Sequence, residues 1–128
     1  MKTRAAIVAL GATALIATTG GATTQAATMS QRNAEASAKE YLQFEPFSKY
    51  GLIHQLSSPY GDGYSRATAR YAVNHIRVNW YHQALRSARQ YLHNQPFSRR
   101  GLIQQLSSRY GEGFTLSQAR YAANKVYR

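Results

Sequence analysis

Acid–base and metal chemistry needs histidines, carboxylates or thiols, and this chain offers four histidines, five acidic residues and no cysteine. When the chain is compared with itself at an offset of 50 residues, His54, His75, His82 and His93 fall on Gln104, Lys125, Arg32 and Gln43, so no histidine is matched by another. His75 and His82 are seven residues apart and could share a helix face, but no carboxylate stands near them in sequence to complete a ligand set. Glu35, Glu40 and Glu45 come before the first core helix, and Asp62 and Glu112 fall in exposed turns. The glycine turns Tyr60–Tyr64 (YGDGY) and Tyr110–Phe114 (YGEGF) have the composition of a phosphate cradle, yet they lack the Lys-Ser/Thr pair and the preceding strand that such a loop uses. Without cysteine there is no disulfide framework, no Cys-based zinc site and no thiol nucleophile. These side chains predict no enzyme and no cofactor or metal, leaving binding as the activity to be explained.

The elements that position these residues belong to a duplicated unit. Residues 34–78 match 84–128 without a gap, and about half the positions are identical. Each copy reads as three short helices, so the fold class is all-α, two tandem three-helix repeats of helix-turn-helix type. Ala34, Ala38, Tyr41 and Leu42, like Ala84, Ala88, Tyr91 and Leu92, repeat every three to four residues in a first helix that Pro46 and Pro96 end. Ser48 and Ser98 can cap a second helix with Leu52, Ile53 and Leu56, or Leu102, Ile103 and Leu106, inward. Gly51 and Gly101 sit inside that helix and predict the close approach of another helix. In the turns, Gly61, Gly63, Gly111 and Gly113 are free to take positive φ. Ser65 caps the third helix of one copy and Thr115–Gln118 has the form of a capping box in the other, with Ala69, Ala72, Val73 and Ile76, or Leu116, Ala119, Ala123 and Val126, on one face.

No Gly or Pro occurs between Tyr64 and Pro96, and Ala69, Val73, Ile76, Trp80, Ala84, Ala88 and Tyr91 keep helical spacing. The third helix of the first copy is therefore expected to run into the first helix of the second, directly or with a short break near Asn79. Trp80, the sole tryptophan, is expected to pack the junction and bury against both copies. Tyr41, Tyr71, Tyr91 and Tyr121 recur in both copies and read as packing residues, whereas Tyr50, Tyr81 and Tyr127 are not matched by aromatics and are freer for the surface.

The chain begins with Lys2 and Arg4, an apolar run over 5–17 and a small polar stretch to Ala27, the layout of a secretory signal peptide. The boundaries expected are 1–27 for the signal, 28–78 for the first repeat and 79–128 for the second. The apolar run covers only about 20 Å as a helix, too short for a hydrocarbon core of about 30 Å, so no membrane span is expected after cleavage.

Charge is unevenly shared. The chain as a whole carries +11. In the first copy Lys39, Lys49, Arg66, Arg70 and Arg77 face four acids, a net +1, while the second has Arg86, Arg89, Arg99, Arg100, Arg109, Arg120, Lys125 and Arg128 against Glu112 alone, a net +7. Of these, Arg86, Arg89, Arg99, Arg100, Arg109, Arg120 and Lys125 are the candidate contacts to a partner or polyanion, such as an anionic wall polymer or lipid headgroups. DNA is a disfavoured partner, because the segment 57–65 is longer than a helix-turn-helix turn and an exported chain does not meet the chromosome.

The doubled pattern F-S-x-x-G-L-I-x-Q-L-S-S, Y-G-x-G-[YF]-[ST] and A-R-Y-A, with Asn79-Trp80 between the copies, resembles the Ltp family of host cell surface-exposed lipoproteins over Gln31 to Arg128. The resemblance implies a Gram-positive bacterial or phage-encoded protein, secreted or held at the cell surface, with two three-helix units. In prophage-encoded members it implies superinfection exclusion, in which contact with an envelope or phage protein keeps the DNA of an incoming phage out. The chain departs from the family pattern in lacking a lipobox cysteine, in its basic charge and in having Asn79 where Asp is common.

Overall fold

The computed structural model describes residues 26–128, and most of the expected signal segment lies outside them. The helices are α1 (Met29–Phe44), α2 (Lys49–Ser57), α3 (Arg66–His75), α4 (Trp80–Asn94), α5 (Arg99–Ser107) and α6 (Leu116–Val126), with no strand among the described residues. Each starts on a polar cap that answers one of its unpaired N–H groups. Ser48, Ser65 and Ser98 cap α2, α3 and α5, and Thr115 with Gln118 closes a full capping box on α6, all as their sequence predicts. Thr28 with Gln31 makes a second capping box on α1, and Asn79 caps α4 by accepting the His82 N–H at 3.1 Å.

Two cores form, one per repeat. α1 and α2 pack on α3, and α4 and α5 pack on α6. Leu52, Leu56, Ala38, Ala69 and Val73 make the first core, and Leu102, Leu106, Phe114 and the alanines of α4 and α6 the second. Alanine and serine at the helix crossings (Ser37 and Ser87 are also buried) let the backbones come close, so a small unit fills its interior with few large side chains.

Several expectations are corrected. At the junction the direct run is excluded and the expected alternative, a short break near Asn79, is found: α3 stops at His75, Ile76 is extended at φ −103°, ψ 156°, and residues 76–79 are non-helical before α4. The β-branched Ile76 and Val78 are weak helix formers, and the Asn79 side chain offers the next helix a better start than continuation would. Trp80, although the first residue of α4, packs on the core of the first repeat rather than on both. Leu116 is 47% exposed, and Ala122 takes its expected place in the core. Glu35 and Glu40 lie within α1 and Glu45 is its C-cap, so none precedes the helices of the fold. What crowds Gly51 and Gly101 is not another helix: the nearest atom to an added Cβ is the hydroxyl of the capping serine, Ser48 at 3.1 Å or Ser98 at 3.0 Å. Both glycines are the residues whose N–H that serine accepts.

Candidate functional site

The glycine turns are fastened to the helices before them. In the first repeat the N–H groups of Gly61 and Gly63 donate to the Ser58 carbonyl, that of Asp62 to Gln55 at 3.1 Å and that of Tyr64 to Leu56 at 2.9 Å. The second repeat repeats all four, ending with Phe114 N–H to Leu106 at 2.8 Å. The turn thereby occupies carbonyls that α2 and α5 leave unpaired at their C-termini. Gly61 and Gly111 are needed because a Cβ there would stand 2.1 and 2.2 Å from the carbonyl oxygens of Gln55 and Gln105, whereas Gly63 and Gly113 take φ of 73° and 77°.

A polar latch closes each turn onto the first helix of its repeat. The Tyr41 hydroxyl donates to Asp62 Oδ1 at 2.5 Å and receives Gln55 Nε2 at 3.3 Å. In the second repeat Tyr91 donates to Glu112 Oε2 at 2.5 Å and receives Gln105 Nε2 at 3.1 Å. Burial, and then the Glu112 carboxylate holding its proton, push the Tyr91 hydroxyl up from 10 to about 12. Asp62 and Glu112, expected only as residues of exposed turns, hold the latch instead, a role not foreseen from their positions in sequence. The signal was present, since Tyr, Gln and a carboxylate recur together at the 50-residue offset.

Beside the first latch lies a cleft of about 270 Å³ lined by Glu40, Tyr41, Phe44, Asp62 and Tyr64. Phe44 is 72% exposed at its rim, and Tyr60 and Tyr110, one per turn, stand fully in solvent. Of the tyrosines expected to be freer for the surface, Tyr81 and Tyr127 are exposed and Tyr50 is half-buried, and each also makes a contact. Tyr50 lies beneath Arg109, Tyr81 meets Tyr121 edge-on at 5.3 Å, and the Tyr127 hydroxyl donates to the Phe97 carbonyl. Tyr121, expected to pack, remains 38% exposed with Lys125 5.6 Å over its ring.

The seven candidate basic residues divide into groups. Arg86 is partly buried and spans the repeats, its Nη1 donating to the Leu42 carbonyl and to Gln83 Oε1 at 3.0 Å each. Arg109 stacks at 5.1 Å over Tyr50 of the first repeat, so it too belongs to the joint. Arg99 reaches from α5 to Asn124 of α6, the helix that carries Arg120 and Lys125, while Arg100 is exposed. Arg89 is exposed on α4. The four histidines are all exposed, and His75 stacks on Tyr71 at 3.8 Å. Among the described residues no three His, Asp or Glu side chains gather as a metal site, and no helix is long and apolar enough to cross a membrane.

The remaining joint contacts come from α2. Buried Ser48, while capping that helix, donates its hydroxyl to the Glu112 carbonyl at 2.5 Å. Gly113 lies so close to Tyr50 that a Cβ would stand 2.7 Å from the ring. Of the motif positions singled out in the sequence, Gly113 and Trp80 therefore tie the repeats together, and Gly61, Gly63 and Gly111 shape the turns.

Known proteins can be set beside this arrangement. The family described as host cell surface-exposed lipoprotein (Ltp) matches residues 30–76 and again 79–126. A solved structure of Ltp, a superinfection exclusion protein from the Streptococcus thermophilus temperate phage TP-J34, superposes with a TM-score of 0.70 at 32% identity, covering 77% of this chain and 97% of that one. A search of curated protein sequences gave no match. The described residues form two three-helix repeats, each matched by the same family, and the chain belongs to the Ltp family.

Proposed function

We propose that the chain is a non-catalytic, exported surface protein of a Gram-positive bacterium or its prophage, and that it acts in superinfection exclusion by contact with an envelope or phage protein. The observation that carries this reading is the likeness, across both repeats, to a solved phage exclusion protein. The exposed rings of Phe44, Tyr60 and Tyr110 add contact area suited to a protein partner, since aromatic side chains dominate such interfaces. The test is expression in a phage-sensitive host. Adsorption should be unchanged while plaque number and injected DNA fall, and Phe44→Ala with Tyr60→Ala should relieve the block without changing surface level. No protection from the wild-type chain would end the exclusion reading.

A second reading, retention on an anionic wall polymer or lipid surface, rests on a separate observation. Arg99 and Arg100 occupy the first turn of α5, which has no acidic residue, so the positive end of the helix dipole meets two cations. That placement costs stability, roughly 0.3–1 kcal/mol per charge, and an anionic ligand would reverse its sign. Binding to wall material should fall steeply toward about 0.5 M salt, where screening shortens to about 4 Å. Charge reversal at Arg99, Arg100 and Arg120 should abolish it. If phage protection survives that loss, wall binding is not the working function.

A further inference from the structure

The joint between the repeats uses unlike surfaces. The first repeat contributes the start of α2 (Ser48, Tyr50, Gly51) and the Leu42 carbonyl, and the second contributes its glycine turn (Arg109, Glu112, Gly113) and Arg86. Because the repeats are copies, each keeps an unused version of the surface its sister employs. On the second repeat this is the start of α5, where Ser98 is exposed although its counterpart Ser48 is 1% exposed. On the first repeat it is the turn at 59–63, where nothing lies within 4 Å of the Cβ position of Gly63, the counterpart of the crowded Gly113.

The two unused surfaces are also opposite in charge. At the start of α5, Arg99 and Arg100 stand where the first repeat has Lys49 and Tyr50. Facing them would be the turn at 59–63, whose one charged residue is Asp62. The parts of the joint that depend on backbone and on small residues, a serine hydroxyl meeting a turn carbonyl and a left-handed glycine leaving room for a large side chain, are present at both open ends. Three contacts have no counterpart: Arg86 corresponds to Ala36, Trp80 to Ser30, and the Tyr50–Arg109 pair to Arg100 and Pro59.

We propose that copies of this chain associate head to tail, the α5 start of one copy seating on the 59–63 turn of the next and repeating the internal joint. A heterologous contact of this kind has no two-fold axis, so it extends into a stack rather than closing as a dimer. The internal joint forms at the high effective concentration the chain itself provides, whereas the external one must form between molecules and is accordingly weaker. A surface that crowds the protein would favour it. The inference is independent of which partner the surface protein serves.

Sedimentation velocity of the purified full chain tests it, from micromolar to about 1 mM, at low salt and at about 0.5 M. Average mass should climb past that of a dimer with concentration at low salt, and fall back at high salt. Gly63→Asn fills the open space with a residue that tolerates positive φ, so it should leave the melting temperature unchanged and abolish association. Arg100→Tyr with Pro59→Arg recreates the Tyr50–Arg109 pair at the open ends and should tighten association about two- to fivefold. A single monomeric species at every concentration overturns the proposal. So does association that Gly63→Asn leaves intact, or growth that halts at a closed dimer.

Discussion

Three glycines of the second repeat stand in different surroundings, and alanine at each should separate what those surroundings do. At Gly111 a Cβ would sit 2.2 Å from the Gln105 carbonyl oxygen and 3.2 Å from its carbon. Carbon–oxygen contacts settle near about 3.3 Å, so the turn must retreat by about 1 Å. That retreat stretches the bonds from Glu112 N–H to Gln105 (3.1 Å) and from Phe114 N–H to Leu106 (2.8 Å), and it draws Phe114, 3% exposed, out of the core. Overpacking costs roughly 1–3 kcal/mol and each of the two weakened backbone bonds about 0.5–1.5 kcal/mol, giving a loss of about 2–6 kcal/mol. At about 4–8 °C per kcal/mol for a chain of this size, Tm should fall by at least about 8 °C. Gly113→Ala meets a left-handed backbone at φ 77°, roughly 1–2 kcal/mol, and a Tyr50 ring that can turn aside, so its cost should be smaller and fall on the joint. Gly101→Ala gains about 1 kcal/mol of helix propensity and presses on the capping Ser98 hydroxyl, whose bond is worth a similar amount, for a net change under about 1 kcal/mol. Circular dichroism during thermal and urea unfolding reads all three. A Gly111→Ala protein that melts like the wild type, or a Gly101→Ala protein as damaged as Gly111→Ala, would refute the reasoning.

The Tyr91 latch predicts an alkaline dependence. With the folded value raised to about 12 from an ordinary 10, the latch contributes fully below pH 10 and its contribution is lost as pH rises from 10 to 12. Tyr91→Phe should be less stable at neutral pH and show a shallower loss over that window, and parallel curves for the two proteins would remove the latch as the cause. Arg86→Ala leaves the Leu42 carbonyl without its charged donor and should cost about 1.5–3 kcal/mol. Since Trp80 packs on the first core, its fluorescence should then report a transition distinct from that seen by far-ultraviolet circular dichroism, and coincident transitions would mean that other contacts hold the repeats as one unit. Leu106→Ala, at a fully buried site, should cost about 2–5 kcal/mol in urea unfolding followed by circular dichroism, and a change under about 1 kcal/mol would contradict the packing described.

Sequence alone determined the duplication, the helices of each copy and four of their caps, at Ser48, Ser65, Ser98 and Thr115. Those features are local: a serine three residues before an N–H, apolar residues every three to four positions and a glycine where φ must be positive are all decided within one turn of chain. The same reasoning failed wherever two distant segments compete for one residue. Absence of Gly and Pro from 65 to 95 left a direct run and a short break near Asn79 both open at the junction; Asn79 acting as a cap decides for the break, and Trp80 finds its burial in the repeat before it rather than in both. The basic residues of the second repeat read as one set of candidate contacts, yet tertiary structure spends Arg86 and Arg109 on the joint, ties Arg99 to Asn124 of α6 and leaves Arg100, Arg120 and Lys125 exposed. The Tyr–carboxylate–Gln latches, too, took shape only when the turn folded back on its helix. Identical residues thus met different fates in the two copies: Ser48 is buried and Ser98 exposed, Gly113 is crowded and Gly63 open. The chain encodes each repeat through short-range interactions, but which face of a repeat is covered depends on where its sister sits, and only the assembled structure fixes that.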